Sequence, residues 1–228
     1  MKTKQKKDKE MKRIFVMLMM LVAGMTTAMA QITHTAKGHV DQNAERILKK
    51  AEQAIASDAV SFTVTMVSKD ANKKETARMK ADVLYKKGKY RVSFEGNIIY
   101  CDGEATWHWN KENDEVVVNK MSDGADDLMN PASILANYSK NFNAKYIRQE
   151  ENGTAVIDLT PKKTKSYYKI RLFVNANNGQ LQRMEMHNYD STSGEYQISN
   201  YKKGMKTADS DFMFPKAQNP KVEIIDMR

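Results

Sequence analysis

Short runs in which apolar and polar residues alternate, separated by turn dipeptides, constrain this 228-residue chain more than any other feature. Between Asn97 and Lys140, two such runs flank Asp102-Gly103, and a third, Glu115 to Asn119, follows a polar turn at Asn110 to Asp114. Successive strand side chains point to opposite faces, and Asp-Gly tolerates the positive φ of a two-residue hairpin, so the segment predicts an antiparallel meander. The same alternation places Val60, Phe62, Val64 and Met66 against Ser61, Thr63 and Thr65, then Met79, Ala81, Val83 and Tyr85 against Lys80 and Asp82, then Tyr90, Val92 and Phe94 against Arg91 and Ser93. Later runs, Asn143 to Glu150, Thr154 to Thr160, Tyr167 to Asn175, Gln180 to Tyr189 and Glu195 to Tyr201, are punctuated by Asn152-Gly153, Asn178-Gly179 and Ser193-Gly194, and Val222 to Asp226 reads as a last strand. About ten or eleven strands without helical crossovers predict a mainly β fold with a single, strongly curved antiparallel sheet. The Asp-Gly and Asn-Gly turns read as ordinary hairpin chemistry.

Two helices interrupt this pattern. Ala44, Ile47, Leu48, Ala51, Ala54 and Ile55 recur at helical spacing behind a capping Asp41, with Lys49, Lys50, Glu52 and Gln53 on the other face. A shorter helix should begin at Asn130-Pro131, where Asn caps and Pro suits the first turn. A curved sheet with one apolar face fills it with side chains, with covering helices or with a ligand. Two helices over so wide a sheet leave room for a cavity, and a fully packed core fits the same pattern.

The basic balance belongs mainly to the first 30 residues. There Lys12 and Arg13 precede the apolar run IFVMLMMLVAGM, and Ala28-Met29-Ala30 supplies small residues for cleavage, so residues 1–30 read as an export signal, with Met11 the expected start and residues 1–10 upstream of it. Removing them lowers the net charge from +9 to +4 (30 Lys and Arg against 26 acids) and leaves Gln31, not a lipidatable Cys, in front. Residues 31–40 read as a flexible lead-in and 41–228 as one domain. A weak basic balance without an Arg-rich face excludes nucleic acid as a partner. The sole cysteine, Cys101, excludes an internal disulfide and sits in a strand as a small buried hydrophobe or a reactive thiol.

Motifs for covalent chemistry are missing: there is no Gly-x-Ser-x-Gly elbow, phosphate loop, dinucleotide fingerprint or His-Glu-x-x-His zinc motif. His34 and His39 fall in the lead-in, and His108 and His187 stand on separate strands, so no metal or cofactor is expected. Asp123, Asp126 and Asp127 lack the ligand order of a calcium loop. Lys162, Lys163 and Lys165 form a basic run suited to solvent, an acidic partner or lipid headgroups. Nine methionines follow residue 30, among them Met66, Met79, Met121, Met129, Met184 and Met186; such soft side chains fill irregular cores and line surfaces for variable apolar ligands.

The order of these parts, carried by SFTVTMVSKD, ADVLYKKGKYRVSFEGN, IIYCDGEATWHW, NPASIL, VIDLTPKK, IRLFVNANNGQLQRMEM and DFMFPKAQNPKVEIID, resembles the LolA-type periplasmic lipoprotein carrier family. The resemblance implies an incomplete β-barrel closed by a helical lid around an apolar cavity for acyl chains. It implies a monomeric periplasmic shuttle, not an enzyme. Its partners would be acylated lipoproteins, an inner-membrane ATP-driven transporter that loads it, an outer-membrane acceptor and transient membrane surface. Carried onto this chain, the cavity wall would use Phe62, Val64, Met66, Met79, Ala81, Val83, Tyr90, Val92, Phe94, Trp107 and Trp109, and the lid Ile47, Leu48, Ile55, Ile134, Leu135 and Tyr138. Where the family has an Arg that latches the lid, this chain has Lys87-Gly88, with Arg91 as an alternative latch. A lipoprotein-sensing domain of the same fold and an exported hydrolase with a spatially assembled site are the competing readings.

Overall fold

A computed structural model describes residues 41–56, 58–121 and 131–228, all within one compact unit spanning Val40–Arg228. Helix α1 (Gln42–Ala56) leads into six strands: β1 (Val60–Lys69), β2 (Glu75–Lys86), β3 (Lys89–Phe94), β4 (Asn97–Cys101), β5 (Ala105–Asn110) and β6 (Glu115–Lys120). Two short helices follow, α2 (Pro131–Ala136) and α3 (Tyr138–Asn141). The chain then forms β7 (Phe142–Gln149), β8 (Thr154–Pro161), β9 (Tyr167–Asn175), β10 (Leu181–Asn188), β11 (Ser193–Lys203) and β12 (Glu223–Asp226). Among the described residues no helix is long and apolar enough to cross a membrane.

All twelve strands join one open sheet in the order β12-β6-β5-β4-β3-β2-β1-β11-β10-β9-β8-β7. Hairpins generate each half, and the pairing of β1 with β11 joins them. The two edges, β12 and β7, do not pair with each other, so the barrel stays open. The strand count exceeds the expected ten or eleven, and β12 pairs with β6 in parallel, not antiparallel. That exception arises because the chain returns along the outside of the sheet after β11 before adding its last strand.

Cross-strand partners share a face, which sorts the side chains directly. Val60, Phe62, Val64 and Met66 face the same side as Ala81, Val83, Tyr85, Tyr90, Val92, Ile99 and Cys101 through successive registers. The second half adds Ile157, Leu159, Ile170, Leu172, Met184, Met186 and Tyr196 to that side. With Ile47, Leu48, Ile55, Ile134, Leu135 and Tyr138 of the helices they form the main core. The outer face of the second half carries a charge row instead, in which the Arg171 guanidinium donates to both Asp158 oxygens at 2.7 and 2.9 Å. Burial of Asp158 pushes its carboxyl up, and the Arg171 pairing outweighs that and holds it below its usual value.

The turn between β10 and β11 differs from expectation. It falls at Tyr189–Thr192, and Ser193-Gly194 already lies in β11. Asp190 folds it, accepting the Thr192 hydroxyl at 2.6 Å and the Thr192 amide at 3.0 Å. Gly194 is instead small for packing reasons: a Cβ there would meet the Tyr196 ring at 3.1 Å.

Candidate functional site: the helix-covered concave face

Helix α1 sits on the sheet because its sequence is one-sided. Ala44, Ile47, Leu48, Ala51, Ala54 and Ile55 are buried, and the charged residues between them face outward. Two contacts fix its position. The backbone amides of Asn43 and Ala44 donate to Asp41 Oδ1 at 3.1 Å each, the N-cap expected from sequence. The other carboxylate oxygen, Asp41 Oδ2, accepts the Tyr146 amide at 2.8 Å. Tyr146 lies on the edge strand β7, beside an irregularity in the β7–β8 register, so one carboxylate caps a helix and occupies an open sheet edge.

The second contact is Gly179, in the turn between β9 and β10. It has φ +75°, and a Cβ would lie 2.6 Å from the Lys50 carbonyl and 2.7 Å from the Ala51 nitrogen of α1. The helix backbone therefore rests directly on the turn, and the Lys50 ammonium donates to the Ala176 carbonyl at 3.4 Å. Asn178-Gly179 is thus the hairpin turn its sequence indicates and also a helix seat. Sequence carried half of that signal, the positive φ. The close approach depends on a residue more than a hundred positions away.

Under α1 and α2 lies an apolar pocket of about 20 Å³ lined by Ile55, Phe62, Pro131, Ala132, Leu135, Gly179, Leu181, Ile198 and Tyr201. That is room for roughly one water molecule, not for a hydrocarbon chain. The helices themselves occupy the concave face, with Ile134 and Leu48 fully buried. The expectation of an underfilled shell is corrected in this respect: the conformation seen here is closed.

The structure brings most of the sequence-selected wall together. Phe62, Val64, Ala81, Val83, Tyr90 and Val92 are buried in the main core, and Met66 and Phe94 pack against it. Met79 shares the face through its pairing with Met66 but remains only partly buried near the strand end. Trp107 and Trp109 do not belong to this wall. Their partners are Tyr100 with Val118 and Ile98 with Val116, which puts both indoles on the opposite face. There they join a second core with Val222 and Ile224, and Phe214 meets Trp109 edge-on at 5.3 Å and Tyr100 at 6.4 Å. Parity across the Asp102-Gly103 turn decides this: His108, not its tryptophan neighbours, pairs with the inward Ile99.

All six lid residues, Ile47, Leu48, Ile55, Ile134, Leu135 and Tyr138, are buried in the main core. The latch expectations fare differently. Lys87 is exposed at the tip of the β2–β3 turn with φ +49°. Arg91 pairs with Leu84 and Tyr100 and so faces outward, away from the helices. Asp41 and Gly179 hold α1 instead. The other half of the wall, Ile157, Leu172, Met184 and Tyr196 with the pocket-lining Leu181, Ile198 and Tyr201, was visible only as alternation, with no cue that it faced the helices.

Cys101 is fully buried, its sulfur 3.7 Å from Met121 Sδ, as a small hydrophobe would be. Among the described residues no group of three or more His, Cys, Asp or Glu could hold a metal. Asp123, Asp126, Asp127, Met129 and the Asn130 cap lie outside the described residues.

Comparison with known proteins agrees with this architecture. An uncharacterized conserved protein from Thermus thermophilus superposes with a TM-score of 0.55 at 13% identity, over 81% of this chain and 99% of that one, which establishes a shared fold. A LolA superfamily protein from Nitrosomonas europaea gives 0.44 at 16% identity over 75% of this chain and 97% of the other. A putative outer membrane lipoprotein-sorting protein domain from Vibrio parahaemolyticus gives 0.41 at 15% over 78% and 100%. No curated protein matches the chain. The profile of the family described as outer membrane lipoprotein carrier protein LolA matches residues 69–215, well over half the sequence and from the end of β1 to just past Phe214, so the chain belongs to the LolA family.

Proposed function

We propose that this protein is a periplasmic carrier that takes the acyl chains of lipoproteins between its sheet and its helices and moves them from inner to outer membrane without covalent chemistry. One observation carries the reading: α1 and α2 fill the concave face of an open sheet as separate apolar plugs, and the pocket lies at their seam. An ATP-driven inner-membrane transporter would load the cargo, and an outer-membrane acceptor would remove it. Family membership supports this reading, as does a site built of apolar side chains.

The energetics suit exchange. Moving Ile47, Leu48, Ile55, Ile134 and Leu135 from the core into water costs on the order of 10 kcal/mol at about 2 kcal/mol per side chain. For a chain in water, burying roughly sixteen methylenes in their place recovers about 13 kcal/mol at ~0.8 kcal/mol each, which nearly offsets that cost. A chain drawn from a bilayer is already out of water and gains no such term, so loading calls on the energy of the transporter, and a partner with higher affinity for the chain strips the carrier.

The test is competition. The purified chain lacking residues 1–30 is expected to bind a hydrophobic fluorophore saturably and release it to an acylated lipoprotein N-terminal peptide, while the deacylated peptide displaces nothing. Equal displacement by both peptides, or no binding by a folded sample, would sink the proposal.

A further inference from the structure

At one end of the sheet the turns β1–β2, β8–β9 and β10–β11 meet. The Tyr189 amide donates to the Ser166 carbonyl at 3.5 Å, and the Lys73 ammonium donates to the Ser191 carbonyl at 3.5 Å, so the three form one surface. Two large aromatic side chains stand out from it: Tyr189 is 71% exposed and Tyr168 41%. Their rings lie 5.5 Å apart, and the Lys169 ammonium sits 5.8 Å from the Tyr168 centroid.

Around these rings positive charge is in excess. Lys73, Lys74, Lys162 and Lys163 are exposed, with Lys162 donating to the Ser139 carbonyl at 2.7 Å, and Lys165 and Lys169 are half-buried. Against these six lysines the same turns hold two carboxylates, Asp70, which accepts the Asn72 and Lys74 amides at 2.9 Å, and Asp190, which is bound to Thr192. The neighbouring His187 registers the field. Burial first, then the charges of Lys169, Arg171 and Lys73, hold its imidazole below the ordinary value despite Glu185.

From this juxtaposition of exposed tyrosines and lysines we infer that the three-turn end of the sheet docks on an anionic membrane surface. Tyrosine is enriched at membrane–water interfaces, where its ring and hydroxyl meet different environments. The cations in these turns are all lysines. Flexible ammonium groups suit the smeared charge of a leaflet, whereas planar arginine forks suit the fixed carboxylates of a protein partner. The patch lies at the opposite end of the strands from the Gly179 turn, so docking leaves the pocket and α1 uncovered. The inference therefore stands apart from the carrier reading.

Flotation with vesicles of phosphatidylglycerol and phosphatidylethanolamine tests it, using the full chain and a matched sample lacking residues 1–30, whose own basic and apolar residues would bind. The shorter chain is expected to float with anionic vesicles at low salt and to stay behind with phosphatidylcholine alone. Lys74→Glu with Lys163→Glu should reduce partitioning by at least about tenfold, since each lysine near an anionic leaflet contributes about fivefold. Tyr189→Ser should reduce it several-fold. Both variants should keep the native melting temperature and fluorophore displacement, and Tyr189→Ser alone serves if the charge reversal disturbs folding. Unchanged partitioning in folded variants would overturn the inference. So would a patch whose reversal abolishes binding to an acidic protein but not to vesicles.

Discussion

Asp41 and Gly179 show how single residues set the position of a whole helix. Replacing Gly179 by Ala adds a Cβ that meets α1 backbone at 2.6 Å in a conformation, φ +75°, that side chains disfavour. Backbone cannot yield as a flexible side chain would, so Gly179→Ala should destabilise the chain by about 2–4 kcal/mol and raise hydrogen exchange selectively in α1. Asp41→Ala removes the cap and strands the Tyr146 amide, at a cost of about 1–2 kcal/mol, with Asp41→Asn keeping much of the capping. Tyr196 supplies a pH signature. Burial pushes its hydroxyl up to about 12, and a folded-state value above the unfolded one means stability that is complete below the unfolded value and lost as pH rises through the folded one. Stability should therefore decline between about pH 10 and about 12, and Tyr196→Phe should flatten that limb in urea titrations.

Elements divide between the two faces of the sheet. The helices cover one, and the C-terminal segment covers the outside of β4–β6 through Phe214, Val222 and Ile224. The Lys89–Asp209 ion pair at 2.9 Å and the Lys86–Thr207 bond at 3.1 Å fasten that segment to β2 and β3. Phe214→Ala should cost about 3 kcal/mol. Because the only two tryptophans of the sequence, Trp107 and Trp109, lie under this segment, the same substitution should shift their emission to the red. The same placement separates two mutants. Ile134→Asp should weaken displacement of a bound fluorophore by acylated peptide, whereas Trp107→Asp should loosen the C-terminal segment and leave that displacement nearly intact. Alternation in the sequence revealed every strand of the meander, yet it left the side of Trp107 open, since a face is assigned by parity across a turn and not by hydrophobicity.

On the scale of the molecule, one open sheet shares its strands between two cores, so the cover on each side influences the other only through the sheet. If an acyl chain replaces the helices on the concave face, binding stabilises the folded state by mass action. An acylated peptide at a hundred times its Kd should raise stability by about 2.7 kcal/mol, read as a higher Tm that the deacylated peptide does not reproduce. The strands, the apolar stripe of α1, the Asp41 cap and the Pro131 helix start were legible in the sequence because each depends on residues within a few positions, where periodicity and capping act. Only the tertiary structure decided that Gly179 seats a helix, that Arg91 and both tryptophans face outward, and that the helices leave a pocket of about 20 Å³. Those outcomes follow from backbone approach, strand register and packing between residues distant in the chain, which no local pattern encodes.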